Sequence, residues 1–255
     1  MTDCILIQAR TGSKRFKNKV LKKIHKKTIL EIVINRLQNS TTLKNIYVLT
    51  SKKKNDTQIV NLCKKIGIKY FRGSENDVVK RYYDCVKKHK IKNIIRITAD
   101  CPLIDPKLLD QFYRFYKKKN YDYVSNTTPP HKSTFPDGSD IEIFSAKALS
   151  RVKKYCKDKV DKEHLTNFIW KDKKFKIFTF KHKKNLSNYR YSLDYKQDFH
   201  SIKKIFYVLK KNKQFGYTDE IIKIINNSPD IKLRMELTKK LYKKNRKDHK
   251  VISIK

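Results

Sequence analysis

The chain has 255 residues, which is enough for one or two domains and for a hydrophobic core that needs neither disulfides nor a structural metal. Hydrophobic residues make up 38% and charged residues 34% of the sequence, and the apolar positions recur periodically, which excludes global disorder. The 63 lysines and arginines outnumber the 24 acidic residues, so the formal net charge is +39 at pH 7.

Such a charge by itself suggests a polyanionic partner such as nucleic acid or a phospholipid surface. However, only 11 of the 63 basic residues are arginines, and the charge is spread along the chain. We therefore expect the charge to attract small anionic substrates, with no nucleic acid and no membrane as partners. A basic nucleic-acid-binding protein remains the alternative from a different class, although no RRM, KH, helix-turn-helix or zinc-finger signature occurs.

The five cysteines are odd in number and form no CxxC pair, so neither a zinc site nor a disulfide framework is indicated. The apolar stretch near the amino terminus spans only residues 4–7, and no later run approaches the roughly 18 apolar residues of a membrane span. We expect a cytoplasmic protein.

Short apolar runs alternate with helical patterns over the first 126 residues. Strands are predicted at 4–9, 45–50, 68–71, 94–98 and 121–126, with helices between them, and further strands at 140–144, 175–180 and 189–194. This alternation predicts βαβ units and a mostly parallel sheet. From Phe199 onward the pattern is helical, and we expect a catalytic domain at 1–211 with a helical C-terminal extension at 212–255 packed on it.

The segment that follows the first predicted strand carries five cations within residues 8–19. Gly12 and Ser13 permit a tight turn whose N–H groups can face phosphate oxygens, and Arg10, Arg15 and Lys19 can neutralise a polyphosphate. The segment matches neither GxxxxGK[ST] nor GxGxxG, which disfavours a P-loop kinase or a dinucleotide-binding domain. The alternative is a solvated basic loop.

Two aspartates follow predicted strands, at positions where ligands of open α/β sheets bind. Asp100 comes after residues 94–98 and Asp194 ends residues 189–194. Two carboxylates from separate strand ends can share one Mg²⁺ against substrate phosphates. Each aspartate could instead cap a following turn or helix; Asp105, which precedes Pro106, and Asp198 are predicted as such caps.

The longest loop, at 127–139, leads into a segment of acids around a glycine that suits the hydrogen bonding of sugar hydroxyls or an ordinary turn. Cys101 is predicted to be a core thiol rather than a nucleophile, because no histidine lies at a telling position. A lone histidine on a helix such as His164 is more often structural than catalytic.

Seven segments in order resemble the cytidylyltransferase family that contains the CMP-KDO and CMP-acylneuraminate synthetases, and most closely its SpsF-like polysaccharide-biosynthesis branch. They are IQARTGSKR, FRGSENDVVKRYY, RITADCPLID, YDYVSN, FPDGSDIEIF, KEHLTNFI and YSLDYKQDF. The resemblance implies an α/β fold: a GT-A-like, Rossmann-like three-layer sandwich with a mixed, mostly parallel sheet. The chain departs from the branch at Phe16-Lys17-Asn18, where a Leu-Pro turn is usual, and at Ala99, where glycine is common.

The resemblance also implies roles for individual residues. The nucleotide would be bound by Ala9, Arg10, Gly12, Ser13, Arg15, Lys19, Arg72 and Thr98. The catalytic residues would be Arg10, Arg15, Lys19 and Asp100. Mg²⁺ would be held by Asp100 and Asp194. The acceptor sugar would be bound by Asp137, Gly138, Asp140, Glu142 and His164.

The predicted function is transfer of CMP from CTP to an acidic keto-sugar, KDO- or nonulosonate-like, with release of pyrophosphate, for surface polysaccharide or glycan biosynthesis. The expected partners are Mg²⁺, CTP and the acidic sugar, and the family resemblance suggests a homodimer. Within the enzymes, the alternative is a nucleotidyltransferase that uses another nucleotide and a sugar phosphate. A third alternative is a homologue that binds nucleotide without turnover.

Overall fold

The computed structural model describes residues 2–247, and its first half alternates strands with helices as the hydrophobic pattern predicted. The elements in order are β1 (Thr2–Gln8), β2 (Lys23–Ile24), β3 (Lys27–Thr28), α1 (Ile29–Leu37), β4 (Ile46–Ser51), α2 (Thr57–Lys65), β5 (Lys69–Gly73), α3 (Val78–Lys88), β6 (Ile91–Thr98) and α4 (Pro106–Lys118). Strands β2 and β3 form a separate small hairpin.

The second half has shorter strands and ends in three helices. Its elements are β7 (Tyr123–Ser125), β8 (Glu142–Ser145), α5 (Ala146–Tyr155), α6 (Lys159–Glu163), α7 (Asn167–Lys171), β9 (Ile177–Thr179), α8 (Lys196–Lys211), α9 (Thr218–Asn226) and α10 (Pro229–Lys247). None of the described helices is both long enough and apolar enough to cross a membrane.

Seven strands form one sheet in the order β5-β4-β1-β6-β8-β7-β9. The first four in this order are mutually parallel, whereas β8 is antiparallel to β6 and β7, and β9 is parallel to β7. The mixed, mostly parallel sheet is therefore confirmed. The predicted strand at 189–194 is wrong: this segment makes only an isolated bridge between Arg190 and Asp137.

Helices cover both faces of the sheet and create the three layers. On one face Ile5 and Ile7 of β1 pack with apolar residues of α1, α2 and α4. On the other face Cys4 and Leu6 pack with α3 and α5, where Tyr82 is fully buried. Successive residues of a strand point to opposite faces, so β1, apolar on both, is buried between the two helix layers.

Capping residues and a proline in the sequence indicate where two of the helices begin. Asp105 caps α4 by accepting from the N–H groups of Lys107 and Leu108, and Pro106 occupies the first helical position as predicted. Asp198 was predicted to be an N-cap, but α8 begins two residues earlier. Its carboxylate accepts the N–H groups of Asp194 and Tyr195 from inside the first turn.

The last three helices form a further apolar cluster with α1 and the hairpin. Arg36 of α1 joins them to the sheet domain: its three guanidinium nitrogens donate to the carbonyls of Ile104, Phe215 and Gly216 at 2.7, 2.8 and 2.7 Å. The cluster includes residues of α8 as well as α9 and α10, so the packing runs across the boundary predicted at residue 211. Residues 248–255 of the predicted extension lie outside the described residues.

Candidate active site

The carboxyl ends of the central parallel strands meet at one edge of the sheet. Gln8, the last residue of β1, pairs in register with Thr98, the last residue of β6. The segment after β6 contains Asp100, whose carbonyl accepts the N–H of Leu193 at 2.8 Å. This backbone bond places Asp100 beside Asp194, although the chain separates them by more than ninety residues.

Lys19 joins the two aspartates. Its Nζ donates to Oδ2 of Asp100 at 2.7 Å and to Oδ1 of Asp194 at 2.9 Å. Lys19 is only 9% exposed. Burial opposes its charge, yet the two carboxylates raise its pKa above the ordinary value. The ammonium therefore stays charged, and it occupies a position where two carboxylates converge on one cation.

Asp194 is also held by two arginines. Nη2 of Arg15 donates to its Oδ1 at 2.7 Å, and Nη2 of Arg190 donates to its Oδ2 at 2.8 Å. Burial would raise the pKa of Asp194, but Lys19, Arg15 and Arg190 together hold it well below its usual range. For Asp100 burial likewise opposes ionisation, and Lys19 keeps the pKa lowered. Both carboxylates are thus ionised and able to bind a cation.

Arg190 connects Asp194 with the acidic loop at 137–140, for which acceptor binding is predicted. Its side chain, 4% exposed, pairs with Asp137 as well as with Asp194. Although 48% of the Asp137 side chain is exposed, the protein packed around its carboxylate desolvates it, and together with the charge of Asp140 this raises its pKa to about 6, against the opposing effect of Arg190. Gly138 has a φ of +106°, and a Cβ there would collide with the backbone of Tyr191 and Ser192. The glycine lets this loop lie against the segment that carries Arg190.

Asp140 faces inward and organises the same loop. Its carboxylate accepts from the Thr127 hydroxyl at 2.7 Å and from the Gly138 N–H at 2.9 Å, and it lies 3.5 Å from Sγ of Cys101. Burial and the nearby charge of Asp100 raise its pKa. The thiol of Cys101 is buried and its pKa is raised mainly by that burial, which agrees with the predicted core thiol.

Glu142, for which acceptor binding is predicted, lies in a buried network within the sheet. It lies opposite Arg96 across the β6–β8 pair, and the two side chains form an ion pair with exposures of 6% and 12%. Its second oxygen accepts the Tyr123 hydroxyl at 2.8 Å. With both oxygens used in this buried network, Glu142 supports the sheet beneath the site.

The basic loop after β1 is anchored at its base. The N–H and hydroxyl of Thr11 both donate to Asp56, at 2.8 and 2.6 Å. The N–H of Ser13 donates to the Thr11 carbonyl, so it is not free to face a phosphate as predicted. The backbone of Gly12 is not in the left-handed region; in this loop Asn18 adopts that conformation, with a φ of 54°. The loop thus turns around Thr11 and Asn18 rather than at Gly12.

The remaining predicted nucleotide residues lie around this loop in different roles. Ala9 is buried, and its N–H donates to the carbonyl of Leu49 at 3.0 Å. Its methyl side chain therefore packs in the core. Arg72 donates to the carbonyls of Ser51 and Lys53 at 3.1 and 2.9 Å and so fixes the loop after β4. Thr98 lies at the end of β6, with its hydroxyl 3.2 Å from Sγ of Cys101.

Arg10 and His164 lie on the side of the site formed by α6. Nη2 of Arg10 is 3.3 Å from Oε1 of Glu163, and both side chains are nearly half exposed. Burial lowers the pKa of His164, and the charges of Arg96 and Arg10 lower it further against the effect of Glu163. The imidazole is therefore mostly neutral at pH 7.

The donor set suits a metal that takes part of its coordination from substrate. Across residues 2–247 no group of three or more histidine, cysteine or acidic side chains could hold a metal by itself. Asp100 and Asp194 supply two ionised carboxylates to one shared cation position. Mg²⁺ is bound in this way by one or two carboxylates together with substrate phosphates.

Sequence reasoning missed Arg190, which links the acceptor loop to Asp194. The available signal was an arginine between two tyrosines in the segment YRYSLD. Arg96, which is flanked by isoleucines in β6 and pairs with Glu142, carried a similar signal.

The chain is similar to several known proteins over most of its length. Residues 4–245 match the family model described as cytidylyltransferase. An uncharacterized protein of Methanocaldococcus jannaschii is 38% identical over 232 residues, spanning 89% of this chain and 91% of that protein. The spore coat polysaccharide biosynthesis protein SpsF of Bacillus subtilis is 28% identical, spanning 88% of this chain and 94% of that protein.

Two further comparisons are with cytidylyltransferases. An 8-amino-3,8-dideoxy-manno-octulosonate cytidylyltransferase of Shewanella pealeana is 32% identical over 116 residues, 44% of this chain and 46% of that protein. The solved structure of a cytidylyltransferase from Leptospira borgpetersenii superposes with a TM-score of 0.83 at 33% identity, covering 91% of this chain and 97% of that one. The family model, the long alignments and the shared fold together show that this chain belongs to the cytidylyltransferase family of CTP-using nucleotidyltransferases.

Proposed function

We propose that this cytidylyltransferase requires Mg²⁺ and transfers CMP from CTP to a hydroxyl of an acidic keto-sugar, with release of pyrophosphate. The observation that carries the proposal is the contact of Asp100 and Asp194 with one shared cation, the ammonium of Lys19. It lies at the carboxyl edge of a parallel sheet, where α/β enzymes bind their ligands.

Asp100 and Asp194 would hold the Mg²⁺. When bound, the ion would neutralise the triphosphate and polarise the α-phosphate. Lys19 now fills the position between the two carboxylates, and its flexible side chain can move to a phosphate oxygen when a divalent ion replaces it. The two aspartates would then stay paired with a cation throughout, so that neither is left as an isolated buried charge.

Arg15 and Arg10 would bind the triphosphate together with Lys19. Both arginines have side chains that are about two-fifths exposed, at 41% and 42%, and each pairs with a single carboxylate. The Arg10–Glu163 pair is exposed on both sides and contributes about 1 kcal/mol or less, so a phosphate oxygen can displace it readily. Arg15 pairs with the buried Asp194, but its own side chain is exposed enough to reach a phosphate. Their charges would stabilise the leaving pyrophosphate, on which negative charge accumulates.

The loop of Asp137 to Asp140 would bind the acceptor. Asp137 projects into solvent with 48% of its side chain exposed, whereas Arg190 fixes its position. The reaction forms a bond between the sugar oxygen and the α-phosphorus, breaks the bond to pyrophosphate and releases one proton. Alignment of the two substrates accounts for much of the expected rate enhancement, because the chain needs to form no covalent intermediate.

Two lines of support favour an acidic keto-sugar. The seven ordered segments resemble the CMP-KDO and CMP-acylneuraminate synthetases, and one relative is named for an octulosonate substrate. In addition, the net charge of +39 attracts anionic acceptors. The name of the Bacillus relative suggests that the product serves polysaccharide biosynthesis.

The test is pyrophosphate release by the purified protein with Mg²⁺ and each of CTP, UTP, GTP and ATP, against a panel of keto-sugar acids and sugar phosphates. We expect release only with CTP and an acidic keto-sugar, and none when EDTA replaces Mg²⁺. The Asp100→Asn variant serves as the matched control for contaminating enzymes. Turnover with a sugar phosphate instead would reject the proposed acceptor, and undiminished turnover in EDTA would reject the metal requirement.

A further inference from the structure

The C-terminal helix α10 reaches the active site. Its first half is fixed in the apolar cluster of the last three helices, where Met235 is buried. Tyr242 follows seven residues later, a spacing of two helical turns that keeps it on the same face. The ring of Tyr242 lies beside Arg15 and Arg190, the two arginines that bind Asp194. The predicted C-terminal extension therefore contributes an aromatic side chain to the charged site.

Tyr242 is close enough to both guanidinium groups for cation–π attraction. Its ring centroid is 6.0 Å from Cζ of Arg15 and 5.5 Å from Cζ of Arg190. A cation within about 6 Å of an aromatic centroid is attracted by the negative face of the ring. Arg15 also lies over the ring of Tyr195, at 5.3 Å. One guanidinium thus contacts two tyrosine rings, one from α10 and one from the residue that precedes α8.

Further contacts fix this part of α10 against the site. Nζ of Lys239, one turn before Tyr242, donates to the carbonyl of Asn188. Asn188 lies two residues before Arg190, so the bond ties the helix to the segment that carries the buried arginine. Thr238, next to Lys239, is also buried. The packing of the helix therefore sets the place of the Tyr242 ring.

The two arginines depend on this ring to different degrees. Arg190 is buried and is fixed by ion pairs with three aspartates, Asp137, Asp194 and Asp198. Arg15 is 41% exposed, and among the side chains that the structure describes Asp194 is its one ion-pair partner. If Arg15 turns to a phosphate, it gives up that ion pair, and the contacts with the rings remain to orient it. The ring of Tyr242 therefore matters most to Arg15.

We propose that Tyr242 is a positioning residue that orients Arg15 toward the phosphates of the nucleotide. The inference rests on the proposed function, in which Arg15 binds the triphosphate. An aromatic ring attracts the face of a guanidinium, whereas the N–H groups donate within the guanidinium plane. Arg15 can therefore exchange the carboxylate of Asp194 for a phosphate oxygen and keep its contact with the ring. A donor that is held in place loses less conformational freedom when the ligand binds.

The test is a double-mutant cycle between Tyr242 and Arg15, with binding of Mg-CTP and of Mg-pyrophosphate measured by calorimetry. Tyr242→Leu removes the ring, and we expect both ligands to bind about two- to fivefold more weakly. In the Arg15→Gln background the same change should weaken binding no further, because the ring then has no guanidinium to orient. Tyr242→Phe keeps the ring, so we expect it to bind both ligands more tightly than Tyr242→Leu does.

The matched control is Tyr207→Leu, which removes a tyrosine ring that is 61% exposed on α8. It should leave the binding of both ligands unchanged with either residue at position 15. Pyrophosphate carries the charges that Arg15 would bind but no base, so this arm tests Tyr242 independently of the nucleotide. A wild type that binds Mg-pyrophosphate but not Mg-CTP would reject CTP as the substrate and would still let the cycle be measured.

Several results would overturn the inference. Unchanged affinities in Tyr242→Leu would make the ring a packing contact, and an equal loss in both backgrounds would mean that Tyr242 acts without Arg15. Weaker binding of Mg-CTP alone would assign the ring to the nucleoside, and an equal loss in Tyr242→Phe would assign the effect to the hydroxyl. If Tyr242→Leu does not fold, Tyr242→Gln decides, because it also removes the ring and favours a helix. A wild type that binds neither ligand would overturn the proposed function and this inference together.

Discussion

Two buried carboxylate sites in this chain are stabilised by different kinds of partner. Asp110 of α4 accepts hydrogen bonds from the hydroxyls of Ser40, Thr41 and Thr42, at 2.5, 2.8 and 2.5 Å, and from the Thr41 N–H. These donors are neutral, and they tie α4 to the turn that follows α1. At the candidate active site the partners of Asp194 are instead three cations.

The difference separates structure from function. Short hydroxyl and backbone donors are fixed by the fold, so the bonds of Asp110 cannot be transferred to a ligand without unfolding the turn. Lys19 and Arg15 carry their charges on long side chains that can move from a carboxylate to a phosphate. A carboxylate held by neutral donors should affect stability alone, whereas one held by cations should affect metal binding and turnover.

Lys19→Met breaks the charged site most severely. Removing one partner of a buried ion pair costs about 3–5 kcal/mol, and Asp100 would lose its ammonium partner. We expect a lower melting temperature in EDTA and a large loss of turnover. We also expect Mg²⁺ without nucleotide to raise the melting temperature of the variant more than that of the wild type, because the ion fills the vacated position.

The matched control for this prediction is Lys80→Met, which removes an ammonium from an exposed pair with Asp84 on α3. Its melting temperature should hardly change, and Mg²⁺ should shift it no more than the wild type. The absence of an enhanced Mg²⁺ response in Lys19→Met would contradict the shared cation position.

Asp100→Asn tests the metal ligand with little change in shape. We expect turnover to fall on the order of 10²-fold or more, which corresponds to roughly 2.7 kcal/mol of transition-state stabilisation. The amide keeps an oxygen toward Lys19, so we expect the protein to remain folded. Steady-state pyrophosphate release at saturating substrates measures the effect, and a fully active variant would remove Asp100 from the site.

The sequence predicted what depends on local pattern. Hydrophobic periodicity located β1, β4, β5 and β6 in order, and the rule that ligands bind at strand ends selected Asp100. The local pattern does not contain the contacts between distant segments. Glu142 forms its ion pair because β8 lies beside β6 and places it opposite Arg96, and which strands become neighbours is decided by the tertiary fold.

The segment at 189–194 is a second feature that the local sequence pattern could not predict. Its residues alternate as in a strand, but its backbone bonds go to Asp100 and Asp137 rather than to a neighbouring strand. Extended chain that lines a site and extended chain that pairs in a sheet have the same local sequence pattern. Only the tertiary arrangement, in which Arg190 reaches both Asp137 and Asp194, distinguishes them.

Asp110→Asn tests the expectation that a carboxylate held by neutral donors affects stability alone. Burial would raise the pKa of Asp110, but its hydroxyl and N–H donors lower it to about 2. Relative to about 3.9 in the unfolded chain, this shift corresponds to about 2–3 kcal/mol of stability. Because the folded pKa is lowered, that stability is present above about pH 4 and is lost as the pH falls through about 2.

We therefore expect the free energy of unfolding of the variant in urea at pH 7 to be about 2–3 kcal/mol lower than that of the wild type, with CTP binding unchanged. The difference should shrink steadily below pH 4. A difference that stays constant with pH would show that the carboxylate charge is not what the hydroxyls stabilise. Asp84→Asn, in an exposed pair, provides a control whose stability should hardly change.

Glu163→Gln has the smallest expected effect on stability and nucleotide binding. It tests whether Arg10 can leave Glu163 to bind the triphosphate. The pair spans 3.3 Å with side chains 42% and 46% exposed, so its loss should change the free energy of unfolding by less than about 0.5 kcal/mol. Freed from Glu163, Arg10 should bind Mg-CTP as tightly as before or up to about threefold more tightly at low salt. Arg10→Gln should instead weaken binding. Equal weakening in both variants would mean that the ion pair itself, rather than the free guanidinium, shapes the nucleotide site.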